Sequence, residues 1–391
     1  MKQHFNFIKR LDFSFIFITL LFFALSIVFI YSSQQTGQYG TDNFALKQVL
    51  NYVIGFILMF AVASLDIDQI KKLAWPFYGL TFASILLLRI APQSIAHIVY
   101  GAKRWFTLPG IGSIQPSEFF KIALLIVVCS MVVKHTEENP VSSISSDLWL
   151  ITKIMFAAIP PSLFVYQQPD TGMVFLYFCG IAAIIMISNV SRKLIFSLSI
   201  VPALVSSALM FIYFEMPDFF FKHLVTLLKP HQQERILGWL SPFQYTDEGY
   251  QTKQALLAVG SGALKGKGIG HGNVYIPEKH TDFIFSTIAE EGGFIIASLT
   301  ILLFLILLYR IIITAHRSDN LFGTLFCSGT VAVLAVQIFQ NIGMIVGLMP
   351  VKGISLPFLT YGGSSLFSNM MLLGIILSIG KTYRKYMFTI D

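Results

Sequence analysis

The chain has 391 residues, of which 55% are hydrophobic and 14% aromatic while only 12% are charged, and its mean hydropathy is +0.71. Soluble globular domains carry about 25% charged residues, so a soluble fold is excluded and the chain reads as an integral membrane protein. The net charge of +7 does not point to nucleic acid, because no basic run or nucleic-acid motif accompanies it; in a membrane chain, excess Lys and Arg mark cytoplasmic loops and contacts with anionic lipid.

Apolar runs long enough to cross a ~30 Å hydrocarbon core fall at 12–32, 48–64, 74–91, 117–134, 149–166, 171–189, 194–214, 283–309, 321–347 and 361–380. They predict an all-α integral membrane protein of ten transmembrane helices, a single domain over 1–391, with one large extracellular loop, 215–282, between helices 7 and 8. Lys2, Lys9 and Arg10 precede the first run as they would in a signal peptide, but no small-residue cleavage site follows, so the run is read as a retained helix. Ten crossings bring both termini to one side. Lys71, Lys72, Arg192, Lys193, Arg310, Arg317 and Lys381 share that side with the N-terminal cations, which makes it the cytoplasm. The outer loop balances seven basic against seven acidic residues and holds Phe219, Phe220, Phe221 and Trp239, which predicts short helices lying back on the membrane surface. Cys129, Cys179 and Cys327 all fall inside apolar runs and read as buried thiols.

The first polar constellation is "GAKRWFTLPGIGSIQPSEFFK", residues 101–121. Lys103 and Arg104 lie on the side that short loops keep poor in positive charge. Two readings stand: Trp105 and Phe106 anchor the loop at headgroup depth while the cations meet lipid phosphate, or Trp105 stacks on a ring-shaped substrate whose diphosphate the cations neutralise. Glu118 and Lys121, three residues apart on one helix face, are either a structural ion pair or the wall of a substrate cavity. Asp170 in "QQPDTG" is placed to cap the sixth helix. The glycine-rich "GSGALKGKGIGHG" at 260–272 matches neither nucleotide-binding pattern and reads as a flexible, close-packing surface turn. Residues 276–294 concentrate Glu278, Lys279, His280, Asp282, Glu290 and Glu291 in an otherwise oily chain. His280 is a base by type, Asp282 is placed to cap the eighth helix, and the two glutamates lie about 12 Å deeper, where at least one must face protein or water. "NIGMIVGLMPVKGISLPFLTYGGSS" at 341–365 is a Gly/Pro-interrupted hairpin, tolerated at membrane depth only where protein or a cavity satisfies its backbone.

These stretches together, with "GYQTKQALLAVGSGALKGKG" at 249–268, resemble the SEDS family of shape, elongation, division and sporulation proteins, typified by RodA, FtsW and SpoVE. The resemblance runs from the first helix to the tenth. It implies a peptidoglycan glycosyltransferase of the bacterial plasma membrane that polymerises lipid II beside a class B penicillin-binding protein and other membrane proteins of the elongation complex. It places the essential aspartate at Asp282, the tryptophan of the "RW" motif at Trp105 and the buried Glu/Lys pair at Glu118 and Lys121. Thr171 and Met173 depart from the usual "QPDLGT", and Thr360 precedes "YGGSS" where serine is common; neither change is near Asp282 in sequence. Short termini and the "GAKRW" region favour the elongation type.

The donor sugar of lipid II is α-linked to undecaprenyl diphosphate, so one displacement at its anomeric carbon gives a β-1,4 link. Asp282 would take the acceptor hydroxyl's proton, and Lys103, Arg104 or a bound divalent cation, Mg²⁺ or Mn²⁺, would stabilise the departing diphosphate. The substrate-binding set is then Trp105, Arg104, Lys103, Glu118 and Lys121. Two other classes stay open: a flippase or transporter for the same lipid, which the polar helix pair and interrupted helices would suit, and a non-catalytic scaffold for wall enzymes. Gly323, Ala332 and Ala335 offer small residues for packing a partner's membrane helix.

Overall fold

The computed structural model describes residues 11–35, 43–98, 102–108, 112–245 and 249–386; Lys2, Lys9 and Arg10 lie outside them. In lipid each backbone N–H and C=O must be satisfied within its own segment, so the apolar runs become helices. The main helices are α1 (Phe13–Gln34), α2 (Phe44–Ser64), α3 (Ile67–Ile90), α4 (Pro116–Glu138), α5 (Ile144–Gln167), α6 (Thr171–Ile187), α7 (Arg192–Glu215), α8 (Pro230–Leu240), α9 (Tyr250–Ser261), α10 (Ile284–His316), α11 (Leu321–Ile345) and α12 (Gly363–Tyr386). Among the described residues nine are long and apolar enough to cross a membrane, and α6 adds a shorter apolar helix of 17 residues. The ten apolar runs thus resolve into nine full-length helices and one short one.

Hydropathy located these helices but not their ends. α2 and α3 start at Phe44 and Ile67, earlier than 48 and 74, because polar caps extend them: Asn43 Oδ1 accepts from the Leu46 amide at 3.0 Å, and Gln69 Oε1 accepts from the Asp66 amide at 3.0 Å. α4 begins at Pro116, whose missing N–H would be unsatisfied at that position anyway. It is the central helix, buried over most of its length and packed against α3, α5, α6, α11 and α12. At the other extreme no residue of α7 is buried.

Loop 215–282 folds as expected into short helices, α8 and α9, after irregular π and 3₁₀ turns at 220–227. Two features depart from expectation. Phe106–Leu108 (β1) and Gly112–Ile114 (β2) pair as a two-stranded antiparallel ribbon, with Thr107 opposite Ser113.

The glycine-rich segment is a close-packing, largely exposed turn as expected, and the departure lies in what it packs on. It lies along a break in α10 at Gly293, where φ is 67° and ψ is −170°. The freed backbone groups pair with the segment: Phe294 N donates to Ala263 O at 2.9 Å, Lys267 N to Glu290 O at 3.0 Å and Gly268 N to Glu291 O at 3.0 Å. A Cβ at Gly266 would stand 2.1 Å from Glu291 O, so glycine is required for that approach.

Among the described residues, Lys71, Arg310 and Lys381, all assigned to the cytoplasm, lie at one end of the bundle. Arg310 pairs with Asp12 at 2.5 Å, Lys381 pairs with Asp66 at 3.0 Å, and Lys71 lines a cleft of ≈ 600 Å³ with Glu137 and Asp319. Gly323 is turned inward, since a Cβ there would meet Ser318 Oγ at 2.3 Å and Ile379 Cγ2 at 2.8 Å. It is therefore withdrawn from the partner-packing surface, whereas Ala332 and Ala335 stay partly exposed.

Candidate active site

At the opposite end, segments far apart in sequence converge on Asp282. The first residue before α10 is Phe283, and no side chain caps that helix. Asp282 therefore does not cap it. Among the described residues its carboxylate accepts no hydrogen bond, and it is only partly buried. Desolvation first, and the nearby Glu278 carboxylate second, push its pKa up to about 6, against the opposing pull of Arg104 and Arg235.

Arg104 is fixed by two carbonyls of the "QQPDTG" turn, Nε donating to Gln168 O at 2.7 Å and Nη2 to Pro169 O at 2.6 Å. Its guanidinium stands 5.8 Å from the centre of the Trp105 ring. Lys103 points elsewhere: its ammonium donates to the carbonyls of Arg89 and Ala91 at the end of α3. That is the cation position expected at a helix C-terminus.

Two cations that sequence reasoning passed over complete the rim. Arg235 comes from α8, which Trp239 ties to the bundle by donating Nε1–H to Gly347 O at 2.9 Å. Lys352 comes from the interrupted hairpin, its ammonium 4.8 Å from the centre of the Phe175 ring. Burial and the neighbouring Arg235 hold Lys352 below the usual lysine range. The signals were an arginine one turn before a tryptophan in "HQQERILGWL" and a lone lysine among glycines and prolines in "GLMPVKGIS".

Asp170 caps α6 as expected, accepting from Met173 N at 3.3 Å, and also accepts from Gln115 Nε2 at 2.8 Å. Burial raises its pKa. Beneath it Lys121 and Glu118 pair at 2.8 Å, their side chains 0% and 5% exposed. Ser368 Oγ donates to Glu118 Oε2 at 2.8 Å, and Asn369 Oδ1 lies 3.5 Å from Lys121 Nζ. The pair thus joins α4 to α12.

The remaining charges support the Asp282 segment. Glu290 binds Lys267 at 2.7 Å and Lys279 at 2.8 Å, and Glu291 accepts from Ser32 Oγ at 2.6 Å. The deeper glutamates therefore both face protein, anchoring the loop that ends at Asp282. His280 is buried with its ring stacked on Phe44 at 4.4 Å, and burial lowers its pKa. Among the described residues no group of three or more His, Cys, Asp or Glu side chains is placed to hold a metal ion.

A bundle of long apolar helices with Asp282 set near the cations Arg104 and Arg235 at one end is the architecture of a polytopic membrane protein. The chain belongs to the cell cycle protein family that takes in FtsW, RodA and SpoVE, whose profile matches residues 12–385. It is 30% identical to stage V sporulation protein E of Bacillus subtilis, over 96% of this chain and 98% of that protein. It is also 30% identical to the peptidoglycan glycosyltransferase MrdB of Escherichia coli K12, over 95% and 92% respectively. Among solved structures it is similar to a chain from a peptidoglycan synthase complex that coordinates polymerization and crosslinking, with a TM-score of 0.73 and 25% identity over 95% of this chain and 98% of that one. It is likewise similar to the rod shape determining protein RodA of Thermus thermophilus, with a TM-score of 0.64 and 26% identity over 95% and 96%.

Proposed function

We infer that this chain is a peptidoglycan glycosyltransferase that polymerises lipid II into glycan strands for the growing cell wall, releasing undecaprenyl diphosphate. The relatives named as glycosyltransferases support the reaction class, and their near full-length coverage supports carrying it to this chain. The observation that carries the mechanism is Asp282: a carboxylate that accepts no hydrogen bond among the described residues, with a pKa raised to about 6 and Arg104 and Arg235 nearby.

Asp282 accepts the proton of the acceptor sugar's 4-hydroxyl as that oxygen attacks the donor's anomeric carbon. The bond to the diphosphate breaks with its electron pair staying on oxygen, and the configuration inverts from α to β. Arg104, Arg235 and Lys352 are the cations able to meet the departing charge in a partly desolvated site. Lys103, tied to the end of α3, keeps a supporting role in fixing the loop. Diphosphate is a good leaving group, so no second carboxylic acid is required, unlike glycoside hydrolysis.

The pH dependence tests this directly. A base works only when ionised, so the rate falls as pH drops through about 6, not through the ordinary aspartate value of about 3.9. Glu278 raises the Asp282 pKa, so Glu278→Gln should move the acid limb to lower pH. An acid limb unmoved from about 4 would contradict the assignment. Runs with Mg²⁺, with Mn²⁺ and with chelator show whether a divalent cation assists.

Trp105, beside Arg104, would serve as a platform for a sugar ring. Trp105→Ala should leave membrane abundance normal and reduce polymerisation steeply, with Trp105→Phe milder. Loss of abundance in the alanine variant would return it to an anchoring role.

The site end is assigned to the outside of the cell and both termini to the cytoplasm, with ten crossings once α6 is counted. Single cysteines at Lys103 and Lys253, in a background lacking native cysteines, should react with an impermeant thiol reagent on intact cells. One at Arg192 should not, and the reverse pattern would overturn the orientation. The partner we propose is a class B penicillin-binding protein of the elongation machinery whose membrane helix packs near α10 and α11; the similarity to a chain of a peptidoglycan synthase complex supports a partner in wall synthesis.

A further inference from the structure

The backbone segments that carry Asp282 and Lys352 are joined by one side chain. Asn341, near the end of α11, is fully buried and donates from its single Nδ2 to two carbonyls, Asp282 O at 2.8 Å and Ile354 O at 2.8 Å. One acceptor belongs to the base and the other lies two residues after the cation. The amide orientation is decided by these contacts: turned over, its oxygen would face two carbonyl oxygens. Its own Oδ1 is buried without a donor among the described residues, so nothing on that side sets the orientation. Gly353 makes the approach of the two segments possible. It has φ +65°, and a Cβ there would stand 3.3 Å from Asp282 Oδ2.

We propose that Asn341 is a positioning residue that locks the Asp282 segment and the Lys352 loop in one register, so that base and cation address the same sugar diphosphate. This rests on Asp282 acting as the base. Neither segment is regular structure at this point, and each carbonyl would be left unpaired without the amide. Holding reacting groups within an ångström is worth about 10²-fold in rate, which is the scale on which the clamp should register.

The test uses full-length protein in detergent with lipid II as substrate. Asn341→Leu keeps the branching of the side chain and removes both donors; Asn341→Ser leaves room for water and serves if the bulkier leucine fails to fold. The clamp predicts faster hydrogen exchange in segments 278–284 and 350–356 together, with the rest of the bundle unchanged. It also predicts a kcat lowered by about 10- to 100-fold at a nearly constant KM, and no further loss when Asn341→Ser is placed in an Asp282→Asn background. Unchanged exchange in either segment, or unchanged kcat in a folded variant, overturns the clamp. Full activity in Asp282→Asn alone would strike down the base reading and the clamp with it, an outcome distinct from an inactive Asp282→Asn beside a fully active Asn341→Ser.

Discussion

Asp282→Asn is expected to lower lipid II polymerisation by about 10²–10⁴-fold, the range for removing a general base, while the protein expresses, melts and binds its partners as wild type does. Asparagine has the same shape but cannot take a proton. A helix cap would behave differently: Asn would replace it well, and Ala would cost about 0.5–2 kcal/mol. Since no side chain caps α10, Asp282→Ala should be as stable as Asp282→Asn. Rescue of the Asn variant by excess Mg²⁺ or Mn²⁺ would shift the role from base to metal ligand, and near-normal glycan synthesis without rescue would remove Asp282 from the chemistry.

The second large effect concerns stability. Lys121→Met leaves Glu118 buried with Ser368 as its remaining hydrogen-bond donor. Breaking one side of a buried pair costs about 3–5 kcal/mol, whereas replacing both charges is often neutral. Lys121→Met should therefore lower the thermal midpoint sharply, and the double variant Glu118→Gln with Lys121→Met should recover most of it. A single variant as stable as wild type would contradict mutual dependence of the pair. The double variant also separates the two readings of these residues: restored stability with restored activity marks a structural pair, and restored stability with lost activity marks a substrate contact.

The bundle was legible in sequence because lipid imposes one rule on every crossing segment, so hydropathy alone locates α1 through α7 and α10 through α12, though not all of their ends. Caps set the true starts, and Asn43 and Gln69 are polar signals that a hydropathy window averages away. Asp282, Trp105 and Arg104 were legible through the motifs that carry the family resemblance. Arg235 and Lys352 were not: Arg235 stands in no motif, Lys352 is one residue of the long hairpin motif with nothing to single it out, and the position of both depends on contacts between segments well separated in the chain. The Trp239 bond to Gly347 and the Asn341 bridge supply that position. Lys103 shows the converse: its type and neighbourhood suit a diphosphate, but the carbonyls ending α3 lie closer to hand. The glycine-rich segment reads as a loose turn until the break in α10 is seen, since its glycines answer to a helix about thirty residues further along.

The central claim is that this membrane protein forms glycosidic bonds in lipid II. The most direct measurement is purified full-length protein in liposomes carrying lipid II on both leaflets, assayed at once for glycan strands and for movement of the lipid between leaflets. The expected outcome is strands that muramidase digests, undecaprenyl diphosphate released with each link, and neither product from Asp282→Asn. Lipid II crossing the bilayer with no polymer formed, at the same rate for wild type and Asp282→Asn, would contradict it.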